Sequence, residues 1–518
     1  MKENFVQPWT DQFNEQIKAR LEKREKLKEL GANPYRNGLT PKNKSAEIIK
    51  EYSHQEKEEI GDTPDFSLAG RAMLVRSFGK AGFITLDDGH GKIQVYVRKG
   101  DISAEDFAEY KLLDYGDIIY VNGHVFKTNK GELSVYAKDF KILTKSIRPL
   151  PEKFHGLTDP ELRYRMRYVD LAMNPEVREK LRKRSEIVRY IREFFYNKDY
   201  LEVETPMMHS VAGGATAKPF TTHHNALDME LFMRIAPELH LKRLITGGYQ
   251  RVFEMNRCFR NEGLSVKHNP EFTSIEFYQA FATYEDLMDL TEDLISGLAK
   301  NVIGSETINY NGRDICFKTP FKRMTIRQAI VEHSSLSMDE VNDSTALMNA
   351  IIEKNKEYKL KDLEKLPHGK LIEIGFEEFA ESQLVQPTFI TEYPTVISPL
   401  SRRNDENSEF VDRFEFFMNG WELANAFSEL NNPSDQLERF AEQAVAKTEG
   451  DDEACDVDYD YVRALEYGMP PTAGEGIGID RLCMILTDSH SIRDVIFFPL
   501  LKKEVFFDAD EEDGEEAN

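Results

Sequence analysis

Two short alternating runs joined by a polar loop constrain this chain more than any other feature. Residues 252–260 and 272–279 each alternate apolar with polar or small side chains, the period of half-buried strands, and 261–271 between them carries the glycine, proline and charges of a loop. Parity then divides the faces. On the first strand Phe253, Met255 and Phe259 point one way, and Glu254, Asn256 and Arg260 the other. On the second, Ile275 and Phe277 face a core, while Phe272, Glu276 and Tyr278 share the opposite face. An arginine, a free aromatic ring, a carboxylate and a phenol thus meet on one open sheet face, which calls for a ligand.

The 518 residues leave room for two or three domains. No apolar run approaches the ~20 residues of a membrane span, and the start KENFVQPWTDQFNEQ lacks the apolar segment of a signal peptide. Cys258, Cys316, Cys455 and Cys483 are far apart and form no CxxC pair, which points to a reducing cytoplasm and away from a zinc site or disulfide framework. A net charge of -24 is unfavourable for binding phosphates, which needs lysine and arginine. Fields are screened beyond about 8 Å at physiological salt, however, so a local basic patch can operate on an acidic protein.

Residues 11–30 show helical spacing of Phe13, Ile17, Leu21, Leu27 and Leu30, ending at Gly31. Lys18, Arg20, Lys23, Arg24 and Lys26 on that helix are candidate phosphate contacts, diluted by five acidic neighbours. From Ser67 to about Thr144 five short strands follow at regular spacing, with a helical insertion within 101–116. This pattern predicts an OB-type barrel, a fold that holds single-stranded nucleic acid on aromatic platforms. Phe83, beside Gly82 at a strand start, is placed either for base stacking or for core packing. The expected division is an N-terminal helical extension over 1–63, the barrel over 64–145, a linker over 146–165, a second domain over 166–504 and an acidic, disordered tail over 505–518.

In the second domain a basic amphipathic helix with Leu181, Ile187, Tyr190, Ile191 and Phe194 turns through 197–200 into the strand LEVETP. Gly213 and Gly214 permit close backbone approach, and Glu238 occupies a helix first turn after Pro237. Residues 335–381 read as an inserted helical region. Asn419-Gly420 predicts a two-residue hairpin turn. Counting outward pairs Phe417 with Glu422 and Glu415 with Ala424, so Glu415 and Glu422 share a face at a spacing that suits magnesium held with phosphates. The same parity puts Asn425 and Glu429 on the other face. Finally PPTAGEGIGIDRLCMILTD is a glycine-rich strand opening a helix at about Asp480, where Arg481 emerges.

The run FRNEG, with Arg260 and Glu262, followed by HNPEFT (His268, Asn269, Phe272) and IEFY, resembles the second signature motif of the class II aminoacyl-tRNA synthetases, and specifically lysyl-tRNA synthetases. The helix and strand of 177–206 resemble the first motif, GxGxDR at 476–481 the third, and RLEKREKLKELGANPY the N-terminal extension of that family. The resemblance implies an α+β chain, with a five-stranded OB-type barrel and a catalytic domain built on an antiparallel sheet flanked by helices. It implies ATP, L-lysine and tRNA(Lys) as substrates, Mg2+ as cofactor, a homodimer built through the first motif, and a cytoplasmic enzyme with no membrane partner.

Roles follow from the same resemblance. Arg260 and Arg481 would be catalytic, on the α- and γ-phosphates, with Phe272 stacked on adenine, Glu262 at its amino group, and His268 and Asn269 completing the ATP site. Gly214, Glu238, Glu276, Tyr278, Asn425 and Glu429 would bind lysine, with Glu238 at its α-amino group. Glu415 and Glu422 would hold the metal. In the barrel, Arg76 and Phe83 would sandwich the central anticodon base while Gln94 and Glu132 bond its edge. If Asn425 and Glu429 do join the site, their strand must bulge or end near Ala424. One departure is Glu475, where the family commonly carries an apolar residue; it either alters adenine or lysine contacts or points outward. The pocket carboxylates Glu276 and Glu429 disfavour an aspartyl or asparaginyl relative, since a pocket for aspartate would need an arginine there. A lysine-modifying paralogue would lack the barrel, and an inactive RNA-binding protein would have no use for Arg260, Glu262 and Arg481.

Overall fold

The computed structural model describes residues 15–151, 157, 159–215, 217–448 and 457–502, and the chain divides into two compact units between Pro160 and Glu161. Phe13, Cys455 and the acidic tail expected over 505–518 lie outside the described residues.

In the first unit helix α1 (Glu15–Glu29) precedes strands β1 (Asp65–Ser77), β2 (Ala81–Asp87), β3 (Lys92–Arg98), β4 (Ile118–Lys127) and β5 (Leu133–Thr144). They close into a barrel in the order β1-β2-β3-β5-β4, so no strand edge is left open. Helix α2 (Ala104–Tyr110) fills the predicted insertion, started by Ser103, whose hydroxyl accepts from the Asp106 amide at 3.0 Å. Alternate residues such as Leu68, Ile84, Val95, Val121 and Val135 form the interior. Closure demands one close approach: a Cβ on Gly123 would lie 1.9 Å from the Tyr136 carbonyl, so only glycine fits where β4 and β5 shift register.

Helix α1 differs from its expected stripe. Ile17 and Leu27 are buried, but Leu30 is exposed and Arg20 takes the inward position between them, donating to the carbonyls of Tyr115 and Ser146. Lys23 pairs with Asp114 at 2.5 Å. Arg24 also pairs with Glu25 of the same helix at 2.9 Å, so three of the five proposed phosphate contacts are engaged within the fold, two of them by tertiary partners.

The second unit is organised by an eight-stranded sheet. Its strands are β6 (Leu201–Glu202), β7 (Arg251–Phe259), β8 (Glu271–Ala280), β9 (Lys322–Thr325), β10 (Thr388–Thr391), β11 (Arg413–Met418), β12 (Trp421–Ser428) and β13 (Thr472–Gly478), in the spatial order β9-β10-β11-β12-β13-β8-β7-β6. The sheet is antiparallel in its centre, as expected, but parallel at both edges, where β9 pairs with β10 and β6 with β7. One face packs on helices α3 (Pro175–Tyr196), α5 (Tyr284–Leu298) and α6 (Ile479–Leu486), burying Phe195, Phe253, Phe277, Leu287, Ile477 and Leu482 in one cluster. α4 (Glu238–Thr246) packs against β7 and β8. Helices at 338–342, 344–354, 360–363 and 368–379 form the inserted region, with their own core around Leu347, Ile351 and Leu371.

Candidate active site

The register of β7 and β8 pairs Glu254 with Glu276 and Cys258 with Phe272, and Phe253, Ile275 and Phe277 enter the core as parity predicted. The opposite face carries Phe272, Ser274, Glu276 and Tyr278. Beside it, β13 presents glycine at each facing position, with Gly474 opposite Tyr278, Gly476 opposite Glu276 and Gly478 opposite Ser274. At Gly474 glycine is required: a Cβ there would lie 2.2 Å from Glu429 Oε1 and 2.3 Å from the Tyr278 ring. This face floors a cavity of about 1370 Å³, whose walls include Gly214, Glu238, Arg260, Glu262, Asn425 and Arg481.

At one end the groups are cationic and half-exposed. Arg260 follows β7 directly, and its guanidinium lies 5.1 Å over the Phe272 ring, holding that ring flat against the floor. Its buried Nε has no hydrogen-bond partner. The backbone amide of Arg260 donates to the Pro270 carbonyl at 2.9 Å, which closes the loop 261–270 over this end. Arg481 donates to the Glu422 carbonyl at 2.8 Å and to His268 Nε2 at 2.9 Å. A guanidinium only donates, so His268 accepts through Nε2 and its Nδ1–H donates to Ser265 Oγ at 2.8 Å. Burial, and then the charge of Arg481, keep the His268 pKa below its usual value. Asn269 is buried with its Oδ1 unpartnered, and Glu262 is exposed at the cavity wall. Asp480 ties the floor to α6, accepting from the Thr273 amide at 2.8 Å and pairing with Arg184.

The hairpin of β11 and β12 turns at Asn419 and Gly420, both with positive φ (57° and 67°), as a primed two-residue turn requires. Phe417 pairs with Glu422 as counted, but Glu415 pairs with Asn425 and not with Ala424. Leu423 is an extra residue, and the bulge it creates between Glu422 and Ala424 reverses the parity of everything beyond it. Glu422, Asn425 and Phe427 all line the cavity as a result. The bulge that Asn425 required near Ala424 is present.

Glu415 accepts from Arg413 at 2.6 Å and from the Tyr393 hydroxyl at 2.8 Å. Burial, opposed by Arg413 and reinforced by the charge of Glu422, raises its pKa to about 7. The Glu422 side chain is 43% exposed, 3.8 Å from Arg481. Both carboxylates are hard oxygen donors, and they are near enough for the charge of Glu422 to reach Glu415. They fit Mg2+, which takes one or two carboxylates and completes its shell from phosphates and water. Among the described residues no cluster of three or more His, Cys, Asp or Glu side chains is preassembled for a metal.

The other end of the cavity is acidic, with Glu238 and Glu429 buried and Glu276 half-buried. Glu238 opens α4 after Pro237, and Gly214 (φ +90°) packs against it, a Cβ there lying 3.2 Å from that of Glu238. Glu276, Tyr278 and Glu429 complete the group, with the Tyr278 hydroxyl 3.4 Å from Glu276 Oε2. Asn425 accepts from Arg413 Nε at 3.0 Å. Burial, and then the charge of Glu238, push the Glu276 pKa to about 8. Burial, opposed chiefly by Lys242, holds Glu429 well above the usual carboxylate range.

Lys242 is the residue the sequence reading overlooked. Fully buried one turn after Glu238, it donates to Glu238 Oε1 at 2.5 Å and ion-pairs with Glu429 Oε2. The i,i+4 spacing from Glu238 was the available signal. Arg413 and Tyr393, which hold Glu415, were overlooked as well. Glu254 is not open as the strand parity suggested: it is buried against Arg234 at 2.6 Å and Thr205 at 2.7 Å.

Glu475 points neither to the ligands nor outward. It alternates with the cavity-facing glycines, so its side chain enters the core side of the sheet, 1% exposed, where the Thr291 hydroxyl of α5 lies 2.7 and 2.8 Å from its two oxygens. Burial raises its pKa well above the usual range, which favours a neutral acid.

On the barrel, the register aligns Arg76, Phe83 and Tyr96 in one row, and Thr85, Gln94 and Ser134 in the next. Arg76 and Glu132 are exposed and Phe83 is half-exposed, 4.9 Å from Tyr96; Gln94 accepts from Ser134 Oγ at 2.8 Å. The alternating residues Ile84 and Val95 fill the core, so Phe83 lies on the outer face.

Comparison with known proteins agrees with this geometry. Residues 159–502 match the family model described as tRNA synthetases class II (D, K and N), and residues 66–143 match the OB-fold nucleic acid binding domain. The chain is 50% identical to the lysine–tRNA ligase of Dichelobacter nodosus over 492 residues, 95% of this chain and 98% of the relative. It is 51% identical to that of Carboxydothermus hydrogenoformans over 491 residues (95% and 99%), and 49% identical to that of Paraburkholderia xenovorans over 505 (97% and 98%). With a family match across the whole cavity-bearing unit and relatives aligned nearly end to end, this chain belongs to the class II tRNA synthetases of the D, K and N group.

Proposed function

We propose that the chain is a lysine–tRNA ligase. It would join L-lysine to ATP, forming lysyl adenylate and pyrophosphate, and then transfer lysine to the 3′-terminal adenosine of tRNA(Lys). The observation that carries this reading is the division of one cavity into a cationic end with an aromatic floor and a buried end holding three carboxylates, Glu238, Glu276 and Glu429. An aspartate-specific site would need a cation free to meet a side-chain carboxylate, whereas the one cation of this end, Lys242, is taken up by Glu238 and Glu429.

In the first step an oxygen of the lysine carboxylate attacks the α-phosphorus, and the bond to the bridging oxygen breaks as pyrophosphate leaves. The nucleophile is already ionised, so positioning and charge stabilisation carry the chemistry. Arg260, poised on Phe272 with an unfilled donor, holds the α-phosphate, and Phe272 stacks on adenine. Arg481 meets the γ-phosphate, steadied by His268, while Asn269 and Glu262 bind the nucleotide. Glu415 and Glu422 would hold Mg2+, which when bound neutralises phosphate charge. In the second step the terminal 3′-hydroxyl attacks the acyl carbon and AMP leaves.

Glu238 takes the substrate's α-ammonium; Glu276, Glu429 and Tyr278 take the ε-ammonium, and Asn425 and Gly214 shape the pocket between. On the barrel, Arg76 and Phe83 sandwich the central anticodon base and Gln94 and Glu132 bond its edge, as single-stranded RNA is usually read. We assign residues 64–145 to anticodon binding, 146–165 to a linker and 166–504 to catalysis, in a cytoplasmic homodimer. Among the described residues no helix is long and apolar enough to cross a membrane. ATP–pyrophosphate exchange with each amino acid in turn tests the reading: lysine alone should support it, and exchange with aspartate or asparagine but not lysine would overturn it.

A further inference from the structure

Lys242 has no part in the reaction as described above, yet it is the cation at the centre of the acidic end. Its ammonium is bonded to Glu238 and paired with Glu429, with the Phe427 and Tyr461 rings 5.3 and 6.0 Å away. Of the neighbouring arginines, Arg234 meets Glu254 at 2.6 Å and Arg413 meets Glu415 at 2.6 Å, while Arg260 belongs to the cationic end over Phe272. What remains is Glu238, Glu276 and Glu429 against Lys242. With all three carboxylates ionised, as two bound ammonium groups require, the single ammonium of Lys242 leaves a surplus of two negative charges, and free lysine brings two ammonium groups.

The geometry divides Glu429 in the same sense. Its Oε2 faces Lys242, while Oε1 lies toward Gly474 and the Tyr278 ring on the cavity floor. Glu238 likewise gives Oε1 to Lys242, so the two carboxylates flank one ammonium. We infer that Lys242 is a positioning residue for the amino-acid substrate, acting through Glu238 and Glu429: set between them, it offsets one of the three carboxylate charges and so sets the charge of the pocket to complement two ammonium groups. This rests on the lysine reading above. Without Lys242, three like charges would meet the bound substrate with no cation among them and could not all be ionised. One would take up a proton and cease to accept an ammonium.

The charge count predicts an unusual result for the full-length enzyme in lysine-dependent pyrophosphate exchange. Glu429→Gln leaves one surplus negative charge, and the KM for lysine should rise about tenfold or more. Adding Lys242→Met to that variant restores a surplus of two, so the lysine KM should fall again by about threefold or more, with the KM for ATP unmoved in both. A residue that merely braces the fold would make the double variant worse. If the second substitution raises the lysine KM, or leaves it within about twofold, the inference is overturned. Thermal melting and the ATP KM report folding, and Lys242→Gln with Glu429→Gln is the alternative pair if methionine packs badly. Failure of the wild type to activate lysine, or a Glu276→Gln variant with unchanged lysine kinetics, would overturn the lysine reading itself. If those two behave as proposed and the double variant does not, only the role of Lys242 falls.

Discussion

Arg260 and Glu276 stand on the same sheet face, yet the two ends of the cavity they mark are built on opposite principles. At the cationic end the charges come from a loop and a helix start, are half-exposed, and keep unused donors, as Arg260 Nε does. At the acidic end Glu238, Glu429 and Lys242 are buried and already bound to one another. A triphosphate arrives hydrated and highly charged, so its site needs cations that water can serve until it binds. A small cation must be chosen by charge and length, which works only where water is excluded and every misplaced charge is unscreened. Selectivity and phosphate handling are thus separated along one surface by burial.

The comparison can be broken at either end, and the largest effect is expected where a transition-state charge loses its partner. Arg260→Ala should lower kcat for pyrophosphate exchange about 10³-fold, with a smaller change in the KM for lysine. Equal losses in both constants would merge the two ends. Next, Glu276→Gln should lower kcat/KM for lysine about 10²-fold while the KM for ATP stays within about twofold, because a buried charge partner is removed from the acidic end alone. An unchanged lysine efficiency would remove Glu276 from the pocket.

A smaller effect follows from the raised pKa of Glu276, about 8. Below that value the empty pocket holds the carboxyl protonated, and an arriving ammonium needs it ionised. kcat/KM for lysine should therefore rise with pH up to about 8 and then level, and Glu276→Gln should flatten that limb. A profile already level from pH 6 would show that the carboxyl is ionised in the free enzyme.

The smallest effect concerns stability. Glu475 has a folded pKa above its unfolded one, so the folded state binds the extra proton and stability is lost as pH rises above the usual carboxylate range. Glu475→Gln keeps a polar group for Thr291 and cannot ionise. It should raise the melting temperature more at pH 8.5 than at pH 6, leaving lysine kinetics unmoved. A shift independent of pH would mean that Glu475 is ionised in the fold.

Much of this site was legible in the order of residues. Alternation alone placed Phe272, Glu276 and Tyr278 on one face and Ile275 and Phe277 in the core, because the side-chain period of a strand is fixed by the backbone. The Asn419-Gly420 turn was equally local, since few residues tolerate two successive positive φ angles. The partner of Glu415 was not legible, because one bulged residue at Leu423 changes the register beyond it and has no sequence signature of its own. Arg20 read as a surface cation until the carbonyls of Tyr115 and Ser146, far along the chain, were found to receive it.

By itself the sequence determined the barrel's five strands, the cavity's floor and the residue types available for phosphate and ammonium, since these follow from local periodicity and turn chemistry. Only the tertiary structure decided which of those charges are bare and which are matched. Lys242 faces Glu429 across 187 positions of chain, and Glu475 turns into the core against Thr291 instead of toward a ligand. Burial and pairing depend on what packs against a side chain from elsewhere, and no pattern within one element carries that information.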